Sequence, residues 1–333
     1  MDKKKEEVPV PVALINFIAG ASRFLVVGHE DPDGDCVGSQ LALCSVLQRL
    51  SKESIPCSAG PFRRPEIISF QDRFRPIPSE LSGIHVLVVD CSTLDRVGNI
   101  GPMLKGLPVA IIDHHATGHH ETGSVPAFVD SASPSTTLLV LSLIESLNVQ
   151  PTLEEAELLL FGLCTDTGFF RHLDANSGAT FDASARLIRS GANLKHIYQM
   201  INPSRNLNSR LLLGRILSRT QAYYGGKLLV TSETLEEGIQ FGVENRDSDK
   251  VYSLLQSVHE VEAIVLIRQE NPEKCSVGFR SLDIVNVAEV AVRFGGGGHK
   301  NASGASIPGT IEQVTAQILA AFKDIFIGSE SGQ

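Results

Sequence analysis

At 333 residues, 42% of them hydrophobic, the chain is long enough for two domains and apolar enough to give each an ordinary core. Its net charge of −9 excludes a protein that coats long duplex nucleic acid, which needs a broad basic surface, but not one with a short anionic substrate near bound cations. Trp is absent and aromatics are 6%, so the cores should be aliphatic, and Cys36, Cys44, Cys57, Cys91, Cys164 and Cys275 form no CxxC pair and read as free thiols of a reducing compartment.

Lys3 to Lys5 and the apolar stretch ending at Ala21-Ser22 imitate a weak signal peptide, but Glu6, Glu7, Pro9 and Pro11 interrupt it. No stretch is long and apolar enough to span a bilayer. The expectation is a soluble, cytoplasmic protein with no membrane partner. Short apolar runs at 24–27, 86–89 and 109–112 predict strands covered on both faces. Helical periodicities at 37–50, 136–147 and 153–164 lie between or after them, the last opened by the capping-box pattern Thr152-Leu153-Glu154-Glu155. That alternation predicts an α/β domain with a parallel sheet over 8–200. A Leu-, Arg- and Ser-rich stretch at 201–224 reads as a helical connector. A smaller α/β domain over 225–330 follows, with strands at 227–231, 263–267 and 275–280, a Gly-rich loop, and a final helix at 311–326.

Each of the three early strands runs into acidic or imidazole residues: His29 to Asp35 after the first, Asp90 after the second, and Asp113-His114-His115 after the third. A lone Asp after a strand is usually a turn residue or helix N-cap. Three such groups delivered to the carboxyl edge of one parallel sheet, where ligands bind, point to a site. Asp166, just after the third helix, supplies a fourth group. Mixed carboxylates and imidazoles without thiolates suit Mn²⁺, with Mg²⁺, Co²⁺ or Fe²⁺ as alternatives. So many acidic groups exceed the needs of one ion and suit a two-metal site with ions about 3.5–4 Å apart, a bridging carboxylate, and in-line phosphoryl displacement by water.

These motifs resemble the DHH phosphoesterase superfamily, whose Asp-His-His stands here as Asp113-His114-His115. The resemblance implies that one ion takes His29, Asp33 and Asp90, and the other Asp35, Asp90, His114 and Asp166, with Asp90 shared. It implies that His115 faces the substrate phosphate and that Asp113 orients the histidines, as metal-bound imidazoles require. Asp31, inside the first motif, receives no ligand role.

In the second domain, Phe294-Gly295-Gly296-Gly297-Gly298-His299-Lys300 lets backbone N–H groups approach an anion, although a plain turn is the commoner use of such a stretch. No Gly-Lys-Ser/Thr follows, which argues against NTP hydrolysis. The stretch resembles the substrate loop of the DHH-associated domain, implying that Arg280, Ser281, Gly296, Gly297, Gly298 and His299 hold the nucleotide end of a substrate, with Asn286 a weaker candidate. Arg63, Arg64, Arg73 and Arg75 read as a solvated loop sooner than a basic rim, His119 and His120 as exposed loop histidines, and Cys36 as a small buried hydrophobe.

The resulting expectation is a two-metal phosphodiesterase that degrades very short oligoribonucleotides to mononucleotides, with phosphatase action on pAp. The alternatives are a cyclic di-AMP/pApA phosphodiesterase and a non-catalytic nucleotide-binding protein, the last disfavoured by the intact ligand set. Its partners would be short RNA oligonucleotides or dinucleotides, and assembly as a homodimer is compatible with it.

Overall fold

The computed structural model describes residues 8–115, 125–282 and 284–327. His119 and His120 lie outside the described residues. Contacts divide the chain into two units between Pro203 and Ser204.

The first unit runs α1 (Val12–Ala19), β1 (Arg23–Val27), α2 (Gly34–Arg49), β2 (Glu53–Cys57), β3 (Ile84–Val89), β4 (Val109–Asp113), β5 (Ala127–Val129), α3 (Thr136–Ser146), α4 (Leu153–Asp166), α5 (Gly178–Arg189) and α6 (Leu194–Ile201). Its five strands form a wholly parallel sheet in the order β2-β1-β3-β4-β5. Alternate residues of β1 and β3 bury on opposite faces. Phe24, Val26, Leu87 and Val89 enter the core built with the helices, while Leu25, Val27, Val86 and Val88 pack with Val97 and Leu104. Burial on both faces explains why these strands are uninterrupted apolar runs.

Helix positions differ from expectation at two functional points. Asp33 caps α2 by accepting from the N–H groups of Asp35 and Cys36, so the helix starts at Gly34 and not at Val37. Asp166 is the last residue of α4, not a residue beyond it. The Thr152–Glu155 capping box is present at the other end of that helix. Helices α2 and α4 pack closely because Gly38 has no side chain: a Cβ there would stand 2.5 Å from the Leu158 carbonyl oxygen. This contact brings the start of α2 and the end of α4 together.

The second unit contains α7 (Leu207–Ser218), β6 (Gln221–Tyr223), β7 (Leu228–Glu233), α8 (Leu235–Phe241), α9 (Ser248–Gln256), β8 (Ala263–Asn271), β9 (Lys274–Ser281), α10 (Val287–Arg293), β10 (Gly297–His299), β11 (Ala302–Pro308) and α11 (Ile311–Phe326). Its mixed sheet has the order β10-β11-β9-β8-β7-β6. Phe279 and Val277 face α10 and α11, while Ile264 and Leu266 face α7, α8 and α9. The stretch read as a connector carries α7, whose Leu212 and Ile216 are buried in this unit's core. All six cysteines are free and buried. Among the described residues, no helix is long and apolar enough to cross a membrane.

Candidate active site

The carboxyl edge of the parallel sheet gathers the residues singled out in the first unit. Asp90 follows β3 with φ of 60°, a left-handed conformation that a non-glycine residue holds only under constraint. It is buried and lies between two histidines: Oδ2 is 3.4 Å from His29 Nε2 and Oδ1 is 3.7 Å from His114 Nε2. His29 Nε2 also faces Asp33 Oδ1 at 3.9 Å, and His114 Nε2 faces Asp166 Oδ2 at 3.3 Å and Asp35 Oδ2 at 4.0 Å.

The imidazoles are oriented from behind. His29 Nδ1 donates to the Glu30 carbonyl at 2.8 Å, and His114 Nδ1 donates to the Ser133 carbonyl at 3.2 Å. Carbonyl oxygens only accept, so each Nδ1 carries a proton and each Nε2 is the nitrogen offered to the carboxylates. Asp113 orients one of the two histidines it was expected to orient. Its Oδ1 meets His115 Nδ1 at 2.7 Å and the His115 N–H at 3.2 Å, so it orients His115, whereas His114 is oriented by Ser133. His115 remains one-third exposed, with Nε2 turned away from Asp113.

The start of α3 completes the arrangement. Asp35 is fully buried and accepts the Thr136 N–H at 2.6 Å and the Thr137 N–H at 2.9 Å, one on each oxygen. The Thr136 hydroxyl donates to Asp90 Oδ1 at 2.8 Å. A helix N-terminus thus anchors one carboxylate and aims a second. Arg64 also belongs here, since its Nη1 is 3.3 Å from Asp33 Oδ2 and it lines a small cleft with Asp33, Thr165, Asp166 and Ile201. Arg64 was expected in a solvated loop, and Thr136 and Thr137 carried no signal beyond helix initiation.

The electrostatics are those of closely packed, largely buried carboxylates facing imidazoles. Burial, then the charge of Asp35, pushes Asp90 up to about 8. Burial, again with Asp35, pushes Asp166 up to about 6, and burial also raises Asp35. Burial alone would lower His29 and His114; for His29 the bonds to Asp33 and Asp90 outweigh it, and for His114 the charges of Asp35, Asp90 and Asp166 do, so both are raised. Asp33 is lowered to about 2 because, against burial, it bonds to His29 and the Cys36 N–H. Burial pushes the Cys36 thiol up to about 12, so a neutral thiol bonded to Gln40 Oε1 lies beside the cluster.

Donor atoms of Asp35, His114 and Asp166 lie within 4.8 Å of one another, as do those of His29, Cys36 and Asp90 and those of Asp90, His114 and His115. Oxygen and imidazole donors this close, with lone pairs converging and hydrogens held by backbone carbonyls, fit divalent cations. Asp31 has no place in these groups; its φ is 54° and its N–H bonds to the Gly60 carbonyl.

The second unit places Arg280, Gly297 and His299 on one sheet face. In register, His299 pairs with Ala302 and Ala302 with Arg280, while Gly297 pairs with Gly304 and Gly304 with Gly278. Directly paired residues share a face, so Arg280 and His299 flank a strip of glycines. Arg280 stacks on Tyr252, its guanidinium carbon 4.5 Å from the ring centroid. Gly278 is required there because the Tyr252 hydroxyl occupies the space of a side chain. Tyr252 went unrecognised in the sequence.

The expected Gly-rich loop is in part strand. Gly297 to His299 form the edge strand β10, and Gly296 and Gly298 pack against the β11 backbone, whereas Gly297 faces open space. The Ser281 hydroxyl donates to the Lys300 carbonyl, and Asn286 caps α10. Ser281 and Asn286 therefore shape the shelf, and Arg280, Gly297 and His299 line it.

A parallel sheet whose carboxyl edge converges carboxylates and imidazoles, followed by a second unit with an arginine beside a glycine-rich edge strand, is the arrangement of a phosphoester hydrolase. The chain belongs to the DHH family: residues 23–163 match the DHH family, N-terminal domain, and residues 225–328 match the DHHA1 domain. It is 31% identical over 307 residues to the bifunctional oligoribonuclease and PAP phosphatase NrnA of Thermus thermophilus, covering 90% of this chain and 89% of that one. It is 24% identical to the cyclic-di-AMP phosphodiesterase PdeA of Listeria monocytogenes and 26% identical to the cyclic-di-AMP phosphodiesterase GdpP of Geobacillus thermodenitrificans. It covers 48% and 50% of these two relatives, and they cover 93% and 96% of this chain. The fold is shared with an exopolyphosphatase-related protein of Bacteroides fragilis, with a TM-score of 0.69, 22% identity, and coverage of 94% and 96% of the two chains.

Proposed function

We propose that this phosphodiesterase removes mononucleotides from very short oligoribonucleotides and also acts as a phosphatase on pAp, using two divalent ions, preferably Mn²⁺. The observation that carries the reading is similarity: the bifunctional NrnA relative is 31% identical over 307 residues, against 24% and 26% for the two cyclic-di-AMP phosphodiesterases. When bound, the ions would neutralise the cluster and supply Lewis acidity at the scissile phosphorus. His29, Asp33 and Asp90 would hold one, and Asp35, Asp90, His114 and Asp166 the other. His115, turned outward by Asp113, would face a phosphate oxygen, and Arg64 beside Asp33 offers a positive group. Arg280, with the Gly297 and His299 backbone, would hold a terminal nucleotide phosphate.

Hydrolysis of cyclic di-AMP or its linear product pApA is the second reading, favoured by the PdeA and GdpP similarities. Initial rates with Mn²⁺ on RNA dimers to hexamers, pAp, pApA and cyclic di-AMP separate the two. RNA dimers and trimers should have the highest kcat/KM, and far faster turnover of cyclic di-AMP than of any RNA dimer would overturn the first reading.

A further inference from the structure

Immediately after Asp166, the chain takes an unusual path. Gly168, Phe169 and Phe170 have φ of 56°, 59° and 71°, a left-handed run that bulky residues adopt only when their surroundings impose it. The run delivers two rings that other helices cover. Phe169 meets Tyr198 of α6 edge-on at 5.0 Å, and Phe170 stacks on Phe181 of α5 at 5.4 Å.

Tyr198 and Phe181 are 50% and 52% exposed, and they are the only exposed Tyr or Phe side chains among the described residues. Scattered surface apolar groups need no explanation. Both exposed rings of an aromatic-poor chain lying in one cluster next to Asp166 do need one. Tyr198 is three residues before Ile201, which lines the cleft with Asp33, Arg64 and Asp166. Residues three apart share a helix face, about 4.5 Å apart along the axis, and Phe169, which Tyr198 meets, is three residues after Asp166.

We propose that Tyr198, backed by Phe169, is a stacking subsite for the nucleobase attached to the phosphodiester at the Asp33–Asp166 side of the centre. The inference rests on the nucleotide reading above and deepens it. An aromatic face accepts any base because every base has a π-face, so this subsite binds without reading sequence. It also supplies affinity that a chain of net charge −9 cannot draw from long-range attraction to phosphate.

The test compares an RNA dinucleotide with an abasic one lacking the base on the side of the cleft, using the wild type, Tyr198→Ala and Tyr198→Phe. Stacking of one base corresponds to about 5- to 150-fold in binding. The ratio of kcat/KM for the dinucleotide to that for the abasic compound should therefore fall at least about fivefold in Tyr198→Ala. Tyr198→Phe should keep the ratio, which a merely structural role of the hydroxyl would not do. In parallel, a dinucleotide carrying 2-aminopurine is titrated into the metal-free protein, which has no Trp to interfere. Its fluorescence should be quenched by the wild type and by Tyr198→Phe, and not by Tyr198→Ala.

An unchanged kcat/KM ratio with quenching that persists in Tyr198→Ala overturns the subsite. So does a Tyr198→Ala effect that appears only as a changed oligomeric state, which would make the cluster an interface between copies. Quenching that depends on Tyr198 without hydrolysis of any dinucleotide would keep the subsite and refute the nuclease reading instead.

Discussion

Thr136→Val tests how the centre is held together. The substitution preserves shape, leaves the Thr136 backbone N–H on Asp35 Oδ2, and deletes only the hydroxyl that donates to Asp90 Oδ1 at 2.8 Å. Thr136 is fully buried, so water does not replace that donor. A buried hydrogen bond to a charged group contributes about 1.5–3 kcal/mol. Asp90 is the carboxylate that faces both His29 and His114, so the loss should fall on ion binding. At about 1.4 kcal/mol per factor of ten, Mn²⁺ affinity should weaken about 10- to 100-fold. Calorimetric titration of metal-free wild type and variant measures this directly, and saturating Mn²⁺ should recover part of the lost kcat/KM. A folded Thr136→Val protein with wild-type Mn²⁺ affinity would show that the hydroxyl does not position Asp90.

Arg280→Ala should raise KM for short nucleotides while keeping kcat, if the guanidinium stacked on Tyr252 binds substrate without bonding to the reacting atoms as proposed; steady-state kinetics showing a lost kcat at unchanged KM would move Arg280 into the reacting centre. Gly38→Ala places a Cβ 2.5 Å from the Leu158 carbonyl oxygen, a backbone atom that cannot swing aside. It should cost about 1–3 kcal/mol and lower both the melting temperature and kcat as α2 and α4 separate, and an equally stable, equally active variant would refute the close approach. Metal-free protein should lose stability from about pH 4 to pH 8. Asp166 and Asp90 are raised by burial to about 6 and about 8 from an ordinary 3.8, so their contribution is present at low pH and is lost as pH rises through those values. Thermal melts in chelator should show this fall, and Mn²⁺ should reverse it with release of protons; a melting temperature that climbs across the window would contradict the assignment.

Legibility from sequence followed burial and locality. β1, β3 and β4 announce themselves because both faces are buried and their runs are unbroken, whereas β2 (Glu53–Cys57) is a sheet edge containing Pro56 and gives no apolar run. β10 and β11 are hidden because glycine, serine and alanine at their paired positions provide no alternation of polarity. The acidic groups were visible because each lies at or just beyond the end of a strand, or at one end of a helix. Their supports were not: Thr136 and Asp35 are 101 residues apart, and nothing local marks Arg64 as the neighbour of Asp33. That Asp113 orients His115 while the Ser133 carbonyl orients His114 depends on how the chain turns after β4, which residue identity does not encode.

The central claim, that one carboxylate between two imidazoles organises a pair of divalent ions, is tested most directly by anomalous diffraction at the manganese edge from crystals soaked in Mn²⁺. Two peaks about 3.5–4 Å apart are expected, one bounded by His29, Asp33 and Asp90 and the other by Asp35, Asp90, His114 and Asp166. A single peak, or a pair that does not share Asp90, would contradict the account.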